Sequence, residues 1–133
     1  MYKYSKRSRE RLATCDPRLQ EIMNELIKIM DVSIVCGHRT KKEQDEAYAK
    51  GNSKIQYPNS NHNALPSDAV DVAPYINGGI PWNKAKYFYL MAGAIKAIAQ
   101  EKCINIRWGG DWDRDGDLDD QEFNDLVHFE LKD

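Results

Sequence analysis

The stretch "SNHNALPSDAVDVAP", residues 60–74, joins a turn-rich loop to a short apolar strand and carries one histidine and two aspartates. Residues 52–67 are rich in Asn, Ser and Pro without periodicity, which indicates a loop. In the strand that follows, Val70 and Val72 point to one face and Asp71 to the other, because side chains alternate along a strand. The pattern predicts a sheet with an apolar face and a second face that presents Asp71.

The flanking segments predict helices that cover this sheet. Asp16 and Pro17 are typical of a helix N-cap and first turn, and Thr40 with Glu43 has the spacing of a capping box. We expect helices over 16–30, 41–50 and 83–102, and further strands over 32–37, 104–110 and 126–131. The longest helix is expected to be central and buried around Leu90, Ala94 and Ile98. The predicted fold class is α+β, a small antiparallel sheet with helices packed against it.

Composition and charge exclude several classes of protein. The chain has 133 residues, the size of one domain, and no apolar run approaches the roughly 18 residues that span a bilayer. The basic N-terminus has no apolar segment behind it, so we expect no signal peptide and no membrane insertion. No basic stripe runs through the chain, which argues against a nucleic-acid partner. The three cysteines are odd in number and widely spaced, which favours reduced thiols over disulfides, although a Cys nucleophile near His38 remains an alternative.

Two histidines and an aspartate are placed so that one metal ion could bind all three. The last strand, 126–131, alternates so that His128 and Glu130 lie opposite its apolar side chains. If this strand is next to the one that holds Asp71, then His128 and Asp71 meet on one face, and His62 can reach them from the loop. Two imidazoles and a carboxylate suit catalytic zinc, with the fourth position left to water.

Two further residues fit such a zinc site. Asp125, three residues before His128, is the candidate base that takes the proton of the water and passes it to the leaving amine. Arg39 is the candidate to hold a substrate carboxylate or to polarise the scissile carbonyl. Each residue also has a simpler interpretation: His62 as a loop hydrogen-bonder, Asp125 as a cap, Arg39 as a surface ion pair and Glu130 as a solvated charge.

The segment "DWDRDGDLDDQE", residues 111–122, matches the pattern of an EF-hand calcium loop. The crowded carboxylates would repel one another unless a cation neutralised them, and Gly116 allows the sharp turn. The predicted calcium ligands are Asp111, Asp113, Asp115, Asp117, Asp119 and Glu122.

Taken in order, "YSKRSRERLATCDPRLQ", "GHRT", "SNHNALPSDAVDVAPY", "WGGDW" and "HFEL" resemble the phage endolysins that are L-alanyl-D-glutamate peptidases, relatives of VanY-type D-alanyl-D-alanine carboxypeptidases. The resemblance covers nearly the whole chain. It implies a VanY/hedgehog-like metallopeptidase fold with the zinc site on the face of the sheet. It also implies the family's metal ligands at His62, Asp71 and His128, its catalytic acidic residue at Asp125 and its substrate-polarising arginine at Arg39.

The resemblance further implies an enzyme that cuts peptidoglycan stem peptides between L-Ala and D-Glu and so releases progeny phage. We expect one zinc peptidase domain over residues 1–133, with the calcium loop embedded in it, and a monomer. Without a signal peptide, the chain would be made in the host cytoplasm and reach the cell wall after release through a separate holin. The loop lies just before Asp125 and His128 in the chain, so calcium is expected to regulate the enzyme.

Three alternatives stay open. A D-Ala-D-Ala carboxypeptidase or dipeptidase would use the same zinc chemistry on another bond. A single-loop calcium-binding module without catalysis would explain only residues 111–122, and its loop is entered through a strand-like segment that ends in Gly109 and Gly110. A zinc domain that binds the cell wall without cutting it would leave Asp125 without a catalytic role.

Overall fold

A computed structural model describes residues 1–119 and 124–132 of the chain. Glu122, one of the predicted calcium ligands, lies outside these residues. The described helices are α1 (Lys6–Leu12), α2 (Pro17–Leu26), α3 (Lys41–Ala49) and α4 (Ala85–Glu101). The described strands are β1 (Val32–Cys36), β2 (Ala69–Pro74), β3 (Ile106–Gly109) and β4 (Asp125–Leu131), and a 3₁₀ turn at Asn61–Asn63 precedes β2. The predicted α+β class is confirmed for this part of the chain.

The four strands form one antiparallel sheet in the order β1-β2-β4-β3. The strand that comes last in the described sequence, β4, therefore lies between β2 and β3. Its register places His128 opposite Asp71 and Phe129 opposite Val70. Alternation then puts His128 and Asp71 on one face of the sheet and Phe129 and Val70 on the other, as the sequence predicted.

The apolar face of the sheet packs on α4, and α4 packs in turn on α2. The core there contains Val70, Val72 and Phe129 from the sheet, together with residues such as Leu19 and Met23 of α2. The side of α4 that is buried differs from the prediction. Its buried residues are Phe88, Met91, Ala92, Ile95 and Ala99, whereas Leu90 is 66% exposed. The helix buries one stripe at helical spacing, so it is amphipathic rather than enclosed on most sides.

The sequence analysis did not predict α1, because this helix docks through polar groups and so lacks an apolar period. β1 is an edge strand, and α1 covers its outer edge. The Ser8 hydroxyl accepts a hydrogen bond from the Ile34 backbone N–H at 3.0 Å, and Arg11 donates to the Ile34 carbonyl at 3.1 Å. These contacts satisfy backbone groups that an edge strand otherwise leaves unpaired.

Local sequence signals explain where α2 and α3 begin. The Asp16 side chain accepts from the Arg18 N–H at the start of α2. Thr40 and Glu43 form the predicted capping box at the start of α3. Among the described residues, no helix has the length and apolar character needed to span a membrane.

Gly37, which follows β1, is the place where α1, β1 and the loop before β2 come together. A Cβ atom at this position would overlap the Arg11 carbonyl and the Thr14 hydroxyl, and would lie 3.1 Å from Cys15 Sγ. We expect Gly37→Ala to lower the free energy of unfolding by about 1–3 kcal/mol, as overpacking of a filled site does. Urea unfolding followed by circular dichroism measures this change.

Gly93→Ala is the matched control. Gly93 lies within α4, and a Cβ atom there would have no neighbour within 4 Å among the described residues. Alanine should therefore raise the free energy of unfolding by about 0.5–1 kcal/mol, because glycine is a poor helix former. Equal stabilities of the two variants would contradict the close packing around Gly37.

Candidate metal and catalytic site

Three side-chain atoms converge on the polar face of the sheet. His62 Nε2 lies 3.1 Å from Asp71 Oδ1 and 3.2 Å from His128 Nδ1, and the last two atoms are 3.2 Å apart. All three residues are buried. Donor atoms about 2.0–2.1 Å from a tetrahedral zinc ion lie about 3.3 Å from one another. The triangle therefore has the dimensions of three ligands around one small cation.

In each histidine ring, the hydrogen bond of the outer nitrogen determines whether the nitrogen that faces the triangle carries a hydrogen or a lone pair. His62 Nδ1 lies 2.7 Å from the Gly37 carbonyl, which can only accept, so Nδ1 carries the hydrogen. His128 Nε2 lies 2.7 Å from Glu130 Oε1 and donates to that carboxylate in the same way. In the neutral rings, His62 Nε2 and His128 Nδ1 then carry lone pairs that face Asp71 Oδ1. Three acceptors in contact require a cation or protons between them.

The pKa shifts of His62, His128 and Asp71 also favour positive charge at the triangle. Burial lowers the pKa of His62, but the Asp71 carboxylate outweighs it and raises that pKa to about 10. The pKa of His128 rises to about 9, because its bonds to Asp71 and Glu130 outweigh the effect of burial. Burial raises the pKa of Asp71, yet the two histidines bring it well below its ordinary range. In the absence of a metal, the triangle is thus a strong proton-binding site.

A capped turn holds His62 in place. The Ser60 hydroxyl accepts from the His62 N–H at 3.2 Å, and Asn63 Oδ1 accepts from the Ser60 N–H at 3.0 Å. The His62 carbonyl accepts from the Arg39 N–H at 2.7 Å, which ties the loop to the end of β1. The ring therefore reaches the sheet from a loop with fixed backbone hydrogen bonds, as the sequence analysis expected of it.

His128 is held by a chain of polar and aromatic contacts. Glu130, which pairs across the sheet with Arg107, accepts from that guanidinium at 2.7 Å and from His128 through its other oxygen. Burial raises the pKa of Glu130, but His128 and Arg107 bring it down to about 2. The Trp112 ring lies 5.5 Å from the His128 ring and from the Arg107 guanidinium. Glu130 is thus a buried partner of His128 rather than a solvated charge.

Asp125 lies next to the triangle. It offers a carboxylate oxygen within 4.8 Å of donor atoms of Asp71 and His128. A register shift in the pairing of β3 with β4 places Asp125 opposite Gly109, where a Cβ atom would overlap the Asp125 backbone. Burial, followed by the charge of Asp71, raises the pKa of Asp125. The carboxyl group is therefore poised close to the candidate ligands at a raised proton affinity.

Arg39 faces the other oxygen of Asp71. Its guanidinium lies 3.7 Å from Asp71 Oδ2 and donates to Gln44 Oε1 at 2.9 Å. Gln44 is fully buried in α3 and donates in turn to the Ile55 carbonyl at 2.6 Å. Arg39 is therefore anchored from α3 and directed at the triangle, and it lines the cavity on this face of the sheet.

Cys36, one of the three cysteines predicted to be reduced thiols, is a neighbour of the triangle that was not predicted from the sequence. Its sulfur lies within 4.8 Å of donor atoms of His62 and Asp71. Simple alternation assigns Cys36 to the core face with Ile34, but a register shift between these residues places Cys36 opposite Asp71. A bulge of this kind leaves no clear signal in the sequence. His38 lies elsewhere, with Nδ1 2.9 Å from the Ala64 carbonyl.

A cavity of about 740 Å³ opens onto this face of the sheet. Among its lining residues are all five that the sequence analysis selected for catalysis and zinc binding. They are Arg39, His62, Asp71, Asp125 and His128. The cavity is large enough for part of a peptide, so the triangle is accessible to a ligand of that size.

The acidic loop, residues 111–122, comes between β3 and β4 in the chain, and its described part, residues 111–119, curls back on itself. Asp111, Asp113 and Asp115 bring carboxylate oxygens within 4.8 Å of one another, and Gly116 adopts a φ of +80°. Asp111 is buried, its Oδ2 accepts from the Gly116 N–H at 2.9 Å, and its Oδ1 has no hydrogen-bond partner in the described part of the chain. Asp117 and Asp119 are exposed further along the loop.

The chain is similar to known proteins in sequence and in fold. The family model of the phage L-alanyl-D-glutamate peptidases matches residues 1–132. The chain is 34% identical over 122 residues to the L-alanyl-D-glutamate peptidase of Escherichia phage T5, which covers 90% of this chain and 88% of the relative. It also resembles the crystal structure of the L-Ala D-Glu endopeptidase ChiX of Serratia marcescens. That match has a TM-score of 0.78 and 27% identity, and covers 98% of this chain and 91% of the other. The chain belongs to the family of phage L-alanyl-D-glutamate peptidases.

Proposed function

We propose that this chain is a zinc-dependent peptidoglycan endopeptidase that hydrolyses the L-Ala–D-Glu bond of the stem peptide, and that calcium at the acidic loop regulates it. The observation that carries the zinc assignment is the buried triangle of acceptors, His62 Nε2, Asp71 Oδ1 and His128 Nδ1, at 3.1–3.2 Å. The family to which the chain belongs supports the choice of bond.

The donor set fits zinc in several respects. Two imidazole nitrogens and one carboxylate are a ligand set of catalytic zinc proteins, which keep a further position for water or substrate. His62 donates its outer N–H to the Gly37 carbonyl, and His128 donates its outer N–H to the Glu130 carboxylate. Such hydrogen bonds orient zinc-binding histidine rings. Zinc bound there would supply the Lewis acidity that activates water and polarises the scissile carbonyl.

Asp125 is the proposed general base. Its raised pKa and its place beside Asp71 and His128 suit a carboxylate that accepts a proton from the attacking water. The water oxygen adds to the L-Ala carbonyl carbon, and the bond from that carbon to the D-Glu nitrogen breaks. Asp125 then delivers the proton to the departing amine, so that one residue serves both proton transfers.

Arg39 is the proposed electrostatic partner of the substrate. Its guanidinium already faces Asp71 and is held by Gln44, so it costs little reorganisation to stabilise negative charge that develops on the scissile carbonyl oxygen. The same cation could instead bind the free carboxylate of D-Glu beside the bond. Both roles require the position that its contact with Gln44 maintains.

Calcium at the acidic loop is supported by the buried Asp111. A buried carboxyl oxygen without a hydrogen-bond partner in the described part of the chain is costly unless a cation binds it. Trp112, between two loop aspartates, packs against the His128 ring and under the Arg107 guanidinium. A change in the conformation of the loop would therefore alter the contacts of His128, a proposed zinc ligand. This coupling is the physical basis of the proposed regulation.

The proposed reaction is tested by digesting purified peptidoglycan with the zinc-loaded protein in the presence of calcium and sequencing the new amino termini. We expect new termini at D-Glu. Asp125→Asn should bind zinc normally and lose about 10²–10⁴-fold in kcat, because the proton acceptor is gone. Asp45→Asn, which removes one side of an exposed ion pair with Lys41, is the matched control and should cut normally.

Release of D-Ala in place of new D-Glu termini would identify a carboxypeptidase and reject the proposed bond. Full activity of Asp125→Asn would reject the proposed base. An inactive wild-type protein with zinc bound would favour a wall-binding role over catalysis.

Glu130→Gln tests the link between the outer carboxylate and the zinc site. The amide oxygen of the variant can still accept a hydrogen bond from His128. The amide lacks, however, the negative charge that makes the His128 ring a stronger zinc ligand. We expect zinc affinity to fall about 10–100-fold, measured by competition with a chromogenic chelator. Glu101→Gln, at the exposed end of α4, should leave zinc affinity unchanged. Unchanged affinity in Glu130→Gln would show that this contact is only structural.

The calcium proposal is tested by activity at a fixed free zinc concentration, set by a metal buffer, while free calcium is varied. We expect wild-type activity to rise with calcium and Asp111→Asn to lose most of that response, because the buried ligand is weakened. Asp31→Asn, outside the loop, is the control and should respond normally. A wild-type activity that is independent of calcium would overturn the regulatory role.

A further inference from the structure

Trp82, at the rim of the cavity, has an unusual environment and no role in the proposed reaction. Trp82 is 61% exposed, although it lines the same cavity as the three converging donors. One face of its ring stacks on Phe88 at 6.0 Å with an interplanar angle of 29°. Phe88 belongs to the buried side of α4. The core therefore supports Trp82 from behind, and much of its surface stays in contact with solvent.

The backbone around Trp82 is also fixed. The preceding hairpin closes with Ile76 and Gly79 exchanging hydrogen bonds at 2.7 and 3.1 Å, and Gly78 supplies the positive φ that the turn requires. The Trp82 N–H then donates to the Ile80 carbonyl at 2.9 Å. A large aromatic ring held in this way loses little conformational entropy when a ligand stacks on it. Such rings are typical of binding sites rather than of ordinary surfaces.

The loop part of the same cavity has amide side chains. Asn52, Asn59 and Asn61 line it, and none of the three makes a side-chain hydrogen bond within residues 1–119 and 124–132. Each amide offers both a donor and an acceptor. An exposed aromatic ring together with neutral amides matches the chemistry of a sugar, whose C–H faces stack on aromatics and whose hydroxyl and acetamido groups pair with amides.

We propose that Trp82 is the platform of a sugar subsite that binds the muramyl residue next to the scissile bond. This inference rests on the proposed function. In peptidoglycan the amino group of L-Ala is joined to the lactyl group of muramic acid, so only one amino acid separates the sugar from the bond that is cut. A sugar bound on Trp82 would contribute binding energy from a part of the substrate that does not react, which orients the peptide over the zinc donors.

The test compares two substrates that differ only in the sugar. One is an N-acetylmuramyl peptide, and the other carries a plain acetyl group on the same L-Ala. We expect wild-type kcat/KM to be about tenfold or more higher for the muramyl substrate, as for a ligand group stacked on an anchored tryptophan. Trp82→Ala should lose this preference and retain its rate on the acetyl peptide to within about twofold. Trp82→Tyr should restore part of the preference, because a flat ring is kept.

Tyr48→Ala is the control, since Tyr48 is an exposed aromatic of α3 outside the cavity lining. Thermal unfolding checks that each variant is folded. Should Trp82→Ala be unfolded, titration of the folded wild-type protein with N-acetylmuramic acid decides, because the indole N–H resonance of Trp82 must then shift.

Three results would each overturn the sugar subsite and leave the proposed reaction intact. They are an equal loss of activity on both substrates in folded Trp82→Ala, a wild-type protein that does not prefer the muramyl substrate, and a Trp82 indole resonance that does not shift. Failure of the wild-type protein to cut either substrate would overturn the proposed function itself, and the subsite with it.

Discussion

Three hydrogen-bond acceptors occupy a buried space that is only wide enough for one small ion, and this constraint organises the protein. Neutral His62, neutral His128 and ionised Asp71 repel one another through the atoms that face inward, at 3.1–3.2 Å. The arrangement is stable only with positive charge at its centre. The sheet order and the capped turn before β2 bring these atoms together from distant parts of the chain.

The surroundings of the triangle reinforce this constraint. Acceptors behind the rings, the Gly37 carbonyl and the Glu130 carboxylate, determine which nitrogen faces the centre. Arg107 balances the charge of Glu130, and Arg39 lies near the second oxygen of Asp71. Atoms with lone pairs thus face the centre, and the two arginines lie outside the triangle, beside Glu130 and beside Asp71. A site built in this way keeps its donors in position whether or not a substrate is bound.

Alternation of side chains predicted the polar face correctly, because a period of two leaves no choice once Val70 and Phe129 are in the core. The N-cap of α2 and the capping box of α3 were predicted just as directly. Sequence reasoning failed where that period or an apolar pattern was interrupted. α1 was missed because Ser8 and Arg11 attach it through polar contacts. Cys36 was missed because of a register shift, which only the pairing of whole strands reveals.

The position of β4 between β2 and β3 has a consequence for how the enzyme comes into being. Asp71 and His128 are 57 residues apart, and β4 is synthesised after every other described element. A nascent chain on the ribosome therefore carries His62 and Asp71 without their partner, and the central strand pairing is among the last contacts that can form. A partly translated chain has no complete triangle, so the proposed metal ion could bind there only after β4 has been translated.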